Sequence, residues 1–435
     1  MPILKVKKNN RITVFLFITL LALLFVFSSF FIQNETIRLS FIYYSLLFPT
    51  VFLGLMLYEI VSIEFFAIIY YFLFLGLGGG ILLLENLATY NVICICIVPL
   101  YLIILGTKIV PKKMKNRSPN SHIHFNLFSR KDVIFILYSI STLAGLYFVI
   151  KYSRFVSSNL AENRVNVMSG NGLLMLLLRL PIFLVPMMIN LYYDYKKYRI
   201  NSLFINKYSI LICLLLSAFI LLLTGYRTRF LMLILFSFLV FSKNKKIPLK
   251  YYVYFAVLIL VLVFAYGALR DSNSIWRQIR TELIRNVINL NYIFNFFPKY
   301  VNFQHGYTYL IDFIMLKPGP DLDFTMWLKE TLMLSFSGGG VTPTLMGELY
   351  MNFGFASIFI GSFLYGVTIK IIDNNYKEKR SIFYIFLCWD MAAALAGGLS
   401  NVLVDFAMFG FISYVINSFP TFVSLRRKKI VYENC

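Results

Sequence analysis

The sequence predicts an all-α, polytopic helical membrane protein with about twelve transmembrane helices, both termini cytoplasmic and one large, late external loop. Three observations predict it. Of 435 residues, 59% are hydrophobic and only 14% charged, whereas an ordinary soluble domain carries about 25% charged residues. Apolar runs of roughly 17–21 residues recur from one end of the chain to the other. Lys-rich connectors alternate with these runs, so that they fall on one side of a membrane. A transmembrane β-barrel would instead show short segments of alternating polarity, which are absent.

The first run, Ile12–Ile32, follows Lys5, Lys7, Lys8 and Arg11. It is longer than a signal-peptide core and lacks a small-residue cleavage site, so it reads as a retained helix. The further runs lie at 40–58, 65–84, 91–109, 133–150, 172–192, 208–224, 229–242, 251–269, 352–371, 382–399 and 402–421. The run 229–242 is short, so either its neighbour tilts or the Arg-bearing turn before it dips into the membrane. We expect one integral membrane domain over 1–435, with the external loop 270–351 inside it as the catalytic segment.

Orientation follows from the basic connectors Lys5–Arg11, Lys108–Lys131, Lys196–Lys207, Lys243–Lys250, Lys370–Arg380 and Arg426–Lys429. The positive-inside rule makes that side cytoplasmic. The connector Glu59–Glu64 on the same side carries no basic residue. Of 41 basic residues, 27 fall there, 20 Lys and 7 Arg; the other 14 are 10 Arg and 4 Lys. The second set runs against the rule, and it does so with arginine. The planar guanidinium fork suits bidentate binding of phosphate or carboxylate, which implies an anionic ligand on the external face.

The formal charge of +22 otherwise sets topology and contacts anionic membrane lipids. Nucleic-acid binding is excluded as a class, because the basic residues are scattered over short connectors. Cys94, Cys96, Cys213 and Cys388 sit in apolar runs and read as small hydrophobes rather than a disulfide or metal framework. The stretch Gly76–Gly80 lies within a run and reads as a helix-packing or kink element rather than a phosphate loop.

The stretch 270–354 concentrates the residues with chemistry. Arg270, Arg277 and Arg280 share one stripe of an expected helix. Trp276, Ile279, Leu283, Val287, Leu290 and Phe294 form another, which predicts an amphipathic helix at the membrane surface. Arg227 and Arg229 sit in a tight external turn, where two arginines need a partner. Arg179 lies inside an apolar run; it is a ligand-binding candidate, or else a structural partner of Asp390 or Asp405. Arg154 and Arg164 lie in a polar external loop. His305 is the lone histidine expected on the external side, and Glu348 is a carboxylate at a helix start, so both are candidates for a catalytic base. No multi-histidine metal site can form around His305, because His122 and His124 lie in a cytoplasmic connector.

Three segments carry a resemblance: TGYRTRFL, HGYTYL and SGGGVTPTLMGELYMNFGFASIFIGSFLYG. With the length, the helix layout and the large late loop, they resemble the O-antigen polymerase (Wzy) family. The spacing from Arg154 to Gly170 is also similar to an Arg…Gly pattern in an external loop of some members. The resemblance implies a glycosyltransferase of the bacterial inner membrane with its active site on the periplasmic side. It implies transfer of a growing glycan from undecaprenyl diphosphate to a new undecaprenyl diphosphate-linked repeat unit. It implies no metal or other cofactor, and a chain-length regulator protein as a further partner. An O-antigen ligase and a lipid-linked oligosaccharide flippase are the alternatives. A flippase places its ionisable residues near the midplane between two related halves, whereas here they gather in external loops.

Overall fold

The computed structural model of the chain describes residues 31–58, 62–85, 90–111, 129–152, 172–197, 205–223, 227–244, 275–314, 323–336, 340–376 and 382–419, with positions 20, 24, 26–29, 87, 248, 250–251 and 254 besides. Among these residues every regular element is helical. We number the helices α1 Glu35–Leu57, α2 Ile63–Leu84, α3 Tyr90–Ile109, α4 Arg130–Tyr152, α5 Gly172–Leu177, α6 Leu180–Lys197, α7 Lys207–Leu223 and α8 Arg227–Asn244. The late segment adds α9 Ile275–Phe296, α10 Thr308–Ile314, α11 Phe324–Thr331 and α12 Thr344–Phe353, and the chain continues with α13 Phe355–Tyr376, α14 Ile382–Gly397 and α15 Ser400–Ser418.

Every predicted run coincides with helix except the first and the ninth, which lie largely outside the described residues. By length and composition α2, α4 and α13 can each cross a membrane, and α3, α7, α8, α14 and α15 contain shorter apolar helices. The chain is a membrane protein.

Local chemistry sets the helix ends. The Asn34 side chain accepts from Ile37 N at 3.1 Å to start α1, and Ser62 accepts from Phe65 N at 3.2 Å to start α2. The predicted run 172–192 is two helices, α5 and α6, parted by a turn at Leu178–Arg179. Pro181 favours the break: it donates no hydrogen bond and clashes with a carbonyl four residues back, so it suits the first turn of α6, although Pro49, Pro99 and Pro186 lie inside α1, α3 and α6.

Glycines set the packing of α2. A Cβ at Gly79 would lie 2.6 Å from the Tyr43 hydroxyl of α1 and 3.2 Å from Cys96 Sγ of α3, and one at Gly78 would strike the Leu283 carbonyl of α9. The expectation that this stretch packs helices therefore describes it. Helices α3 and α13 meet backbone to backbone in the same way, with Gly106 against the Phe363 carbonyl and Gly366 against that of Ile103. Substituting Gly366 with Val should force this pair apart and cost about 1–3 kcal/mol or more. A lowered thermal midpoint in detergent is the measurement; an unchanged midpoint would mean that α3 and α13 do not pack this closely.

The late segment is built differently from its expected surface helix. Helix α9 is amphipathic, but Ile284, Val287 and Leu290 are buried in the main core. Ile293 joins a second core with Phe297, Ile311, Phe324, Leu328, Leu332, Val341 and Met351. The apolar stripe thus faces protein rather than lipid. Exposed Arg280 and Glu282 lie on the remaining surface. The second core lies within the late segment, which meets the start of α15 through Thr308 and Glu348.

Candidate active site where the late segment meets the last helix

Helix α12 places Glu348 and Asn352 four residues apart, hence on one face. Both are wholly buried. The Glu348 carboxylate meets the first turn of α15: it accepts from the backbone N–H of Leu399 and, at 3.3 Å, from that of Ser400. The Ser400 hydroxyl touches it and lies 2.9 Å from the Thr308 carbonyl oxygen. The Thr308 hydroxyl lies 3.3 Å from Glu348 Oε1 and accepts from Asn352 Nδ2 at 2.7 Å. Asn352 Oδ1 accepts from Gly306 N at 2.8 Å, and the Asn352 carbonyl accepts from His305 N at 3.1 Å. Two sequence-quoted segments, HGYT and GELYMN, are therefore stitched to each other and to a helix N-terminus, whose partial positive charge favours a carboxylate.

Burial pushes the Glu348 carboxyl up from 4.5 to about 7, against the lowering effect of its donors at Ser400, Leu399 and Thr308. The carboxylate is enclosed by protein in this arrangement. Gly398, at φ 88°, makes the enclosure possible, since a Cβ there would lie 2.6 Å from Glu348 Oε2 and 2.8 Å from Pro343 Cγ. His305 is exposed, at φ 48°. Its backbone belongs to the network, while its ring projects at the surface.

A second cluster lies further along α15. Arg179, in the turn between α5 and α6, forms an ion pair with Asp405, and the side chains are 21% and 18% exposed. Of the two partners expected for Arg179, the structure selects Asp405. Asp390 of α14 is buried nearby, with no hydrogen bond to Oδ2 among the described residues. Asp312 of α10 is nearly buried and accepts from Phe324 N at 2.8 Å. Burial raises its carboxyl to about 6; the Asp323 and Asp405 charges push the same way, and the Phe324 N–H and Arg179 pull it back.

The other predicted residues stand apart. Arg280 binds Glu85 at the end of α2 in a fork, with Nε 2.7 Å from Oε1, and both side chains are partly exposed. That fork holds Glu85 below its ordinary range. Arg229 is buried in the first turn of α8. Arg154, Arg164 and Arg270 lie outside the described residues, as do the side chains of Arg227 and Arg277. Among the described residues no group of three His, Cys, Asp or Glu side chains is placed to hold a metal ion.

Sequence reasoning missed Thr308, Asp312, Asn352 and Ser400. Two signals pointed to Asp312 and Asn352: a lone carboxylate inside apolar TYLIDFI, and an amide four residues after Glu348.

The fold and this site define a class: an all-helical membrane protein whose late segment closes over buried carboxylates and an arginine at one end of the bundle. The chain belongs to the O-antigen polymerase family, whose family model matches residues 9–407. No curated protein and no solved structure matches it. Its role is accordingly in O-antigen polymerisation, a glycosyltransferase-type activity on lipid-linked oligosaccharide.

Proposed function

We propose that this protein polymerises O-antigen repeat units at the periplasmic face of the bacterial inner membrane. It transfers the growing glycan from undecaprenyl diphosphate to a hydroxyl of the next undecaprenyl diphosphate-linked repeat. The C–O bond to the diphosphate breaks, the new glycosidic bond forms, the acceptor loses its proton, and undecaprenyl diphosphate leaves with the electron pair. The observation that carries this reading is the convergence on α15 of a wholly buried carboxylate, Glu348, with the arginine–carboxylate pair Arg179–Asp405. A displaced diphosphate needs fixed positive forks where its charge develops. Arg164, Arg179, Arg227, Arg229, Arg270, Arg277 and Arg280 are the proposed forks, with Arg179 and Arg280 exchanging their present carboxylate partners for the ligand. Glu348 is the proposed proton acceptor, and His305 the alternative. The layout that serves this reaction has twelve transmembrane helices, cytoplasmic termini and the 270–351 segment outside.

The test is O-chain length. A strain lacking the protein should display core bearing one repeat. Core with no repeat at all would point to the ligase or the flippase instead. With purified protein and lipid-linked repeats alone, a ladder of products is expected. Arg280→Lys keeps the charge and loses the fork, so it should shorten that ladder while the protein still accumulates in the membrane. Full activity in this variant would make Arg280 a structural partner of Glu85 only.

A further inference from the structure

The end of the bundle opposite the Glu348 network holds a cavity of about 200 Å³. It lies among the starts of α4 and α14 and the ends of α6 and α15. Arg130, Asn190, Asp194, Ser413 and Asn417 supply its polar lining, and Ile134 and Phe383 are part of its apolar wall. None of these residues belongs to the proposed transfer site.

Its charges are arranged in two signs. Arg130 is held over the end of α15, with Nε donating to the Phe419 carbonyl at 2.9 Å and an Nη to that of Asn417 at 3.3 Å. A guanidinium carries five N–H donors, so donors remain for an anion in the cavity. Asp194 is steadied by Asn190, whose Nδ2 lies 3.4 Å from it. Helix dipoles repeat the pattern. The N-terminal ends of α4 and α14 favour negative charge here, and the C-terminal ends of α6 and α15 favour positive charge. A purely anionic ligand would meet Asp194 and two helix C-termini; a purely cationic one would meet Arg130 and two N-termini.

We propose that this cavity binds the headgroup of a zwitterionic phospholipid of the phosphoethanolamine type, with the phosphate on Arg130 and the ammonium on Asp194. The volume is below the roughly 300–1,000 Å³ of sites that engulf a drug-sized ligand. It suits a small headgroup whose acyl chains stay outside in the bilayer, which the bundle already contacts. The same chemistry is carried by soluble phosphoethanolamine, so the acyl chains must add to the binding if the source is lipid.

The test uses the full chain purified in detergent and exposed to short-chain phosphatidylethanolamine, short-chain phosphatidylglycerol and soluble O-phosphoethanolamine. Native mass spectrometry counts bound molecules. The wild type should prefer phosphatidylethanolamine over phosphatidylglycerol by about tenfold, the worth of one charge-assisted contact. Asp194→Asn should erase or reverse that preference while phosphatidylglycerol still binds. Arg130→Gln should weaken both lipids; since Arg130 also ties down α15, Asp194→Asn is the deciding variant. A wild type indifferent to headgroup, or an Asp194→Asn protein with its preference intact, overturns the proposal. Soluble phosphoethanolamine binding as tightly as the lipid would overturn the lipid assignment.

Discussion

Glu348→Gln is expected to reduce polymer formation by at least about 10²-fold, the usual contribution of a general base. The glutamine keeps the size of the side chain but replaces one acceptor oxygen with an NH₂ group that faces N–H donors of α15. Some loss of stability therefore accompanies it, since each buried donor left unmet costs about 1–3 kcal/mol. The pH profile separates the two roles. As a base Glu348 must be deprotonated, so the wild-type rate should rise with pH up to about 7 and then level. Stability moves in the opposite direction. The folded carboxyl binds its proton more tightly than the unfolded one, so its contribution to stability is lost as pH rises between 4.5 and about 7. The Gln variant should lack both dependences. A Gln variant that turns over like the wild type once cooled below its lowered thermal midpoint would make Glu348 a structural anchor. A collapse in His305→Ala would then assign the proton to the histidine.

The next largest effect is expected at Arg179 and Asp405. Removing one member of a largely enclosed ion pair typically costs about 3–5 kcal/mol, because the other charge is left uncompensated. Asp405→Leu removes the ion-pair partner of a guanidinium that cannot deprotonate. Arg179→Leu strands carboxylates, which can relieve the cost by taking up protons. Asp405→Leu should therefore be the more damaging single change by thermal midpoint in detergent. The double variant, apolar at both positions, should recover much of the stability. If Arg179 is also a diphosphate fork, polymer formation should not recover with it. Recovery of both would reduce the pair to a structural contact.

Most of the helices were legible because a membrane span must be apolar along its whole length, and hydropathy reads that directly. The packing role of Gly76–Gly80 was legible for a related reason, since small residues let helix backbones approach. The pairing of Arg179 was legible as one of two alternatives, a carboxylate at Asp390 or Asp405 against a bound ligand, because an arginine at that depth needs a partner. The break at Leu178–Arg179 was written in Pro181 and went unread because hydropathy does not register it. The covering of the apolar stripe of α9 by protein could not be read, since lipid and core are equally apolar. Nor could the enclosure of Glu348. Its partners lie 40 residues before it at Thr308 and 51 and 52 residues after it at Leu399 and Ser400, and no local pattern links such positions.

The order of those partners has a consequence for biosynthesis. Thr308, Glu348 and Asn352 leave the ribosome before the helix whose N-terminus they receive. Until α15 is made, the carboxylate has lost water to its surroundings without gaining the N–H groups of Leu399 and Ser400. The nascent late segment therefore lacks its clasp, and α15, made after it, is the helix that closes it. A chain interrupted ahead of Ser400 would carry every arginine proposed as a fork and still lack the N–H groups that receive Glu348, so, if the proposed centre is the active one, transfer activity appears only after α15 has been made.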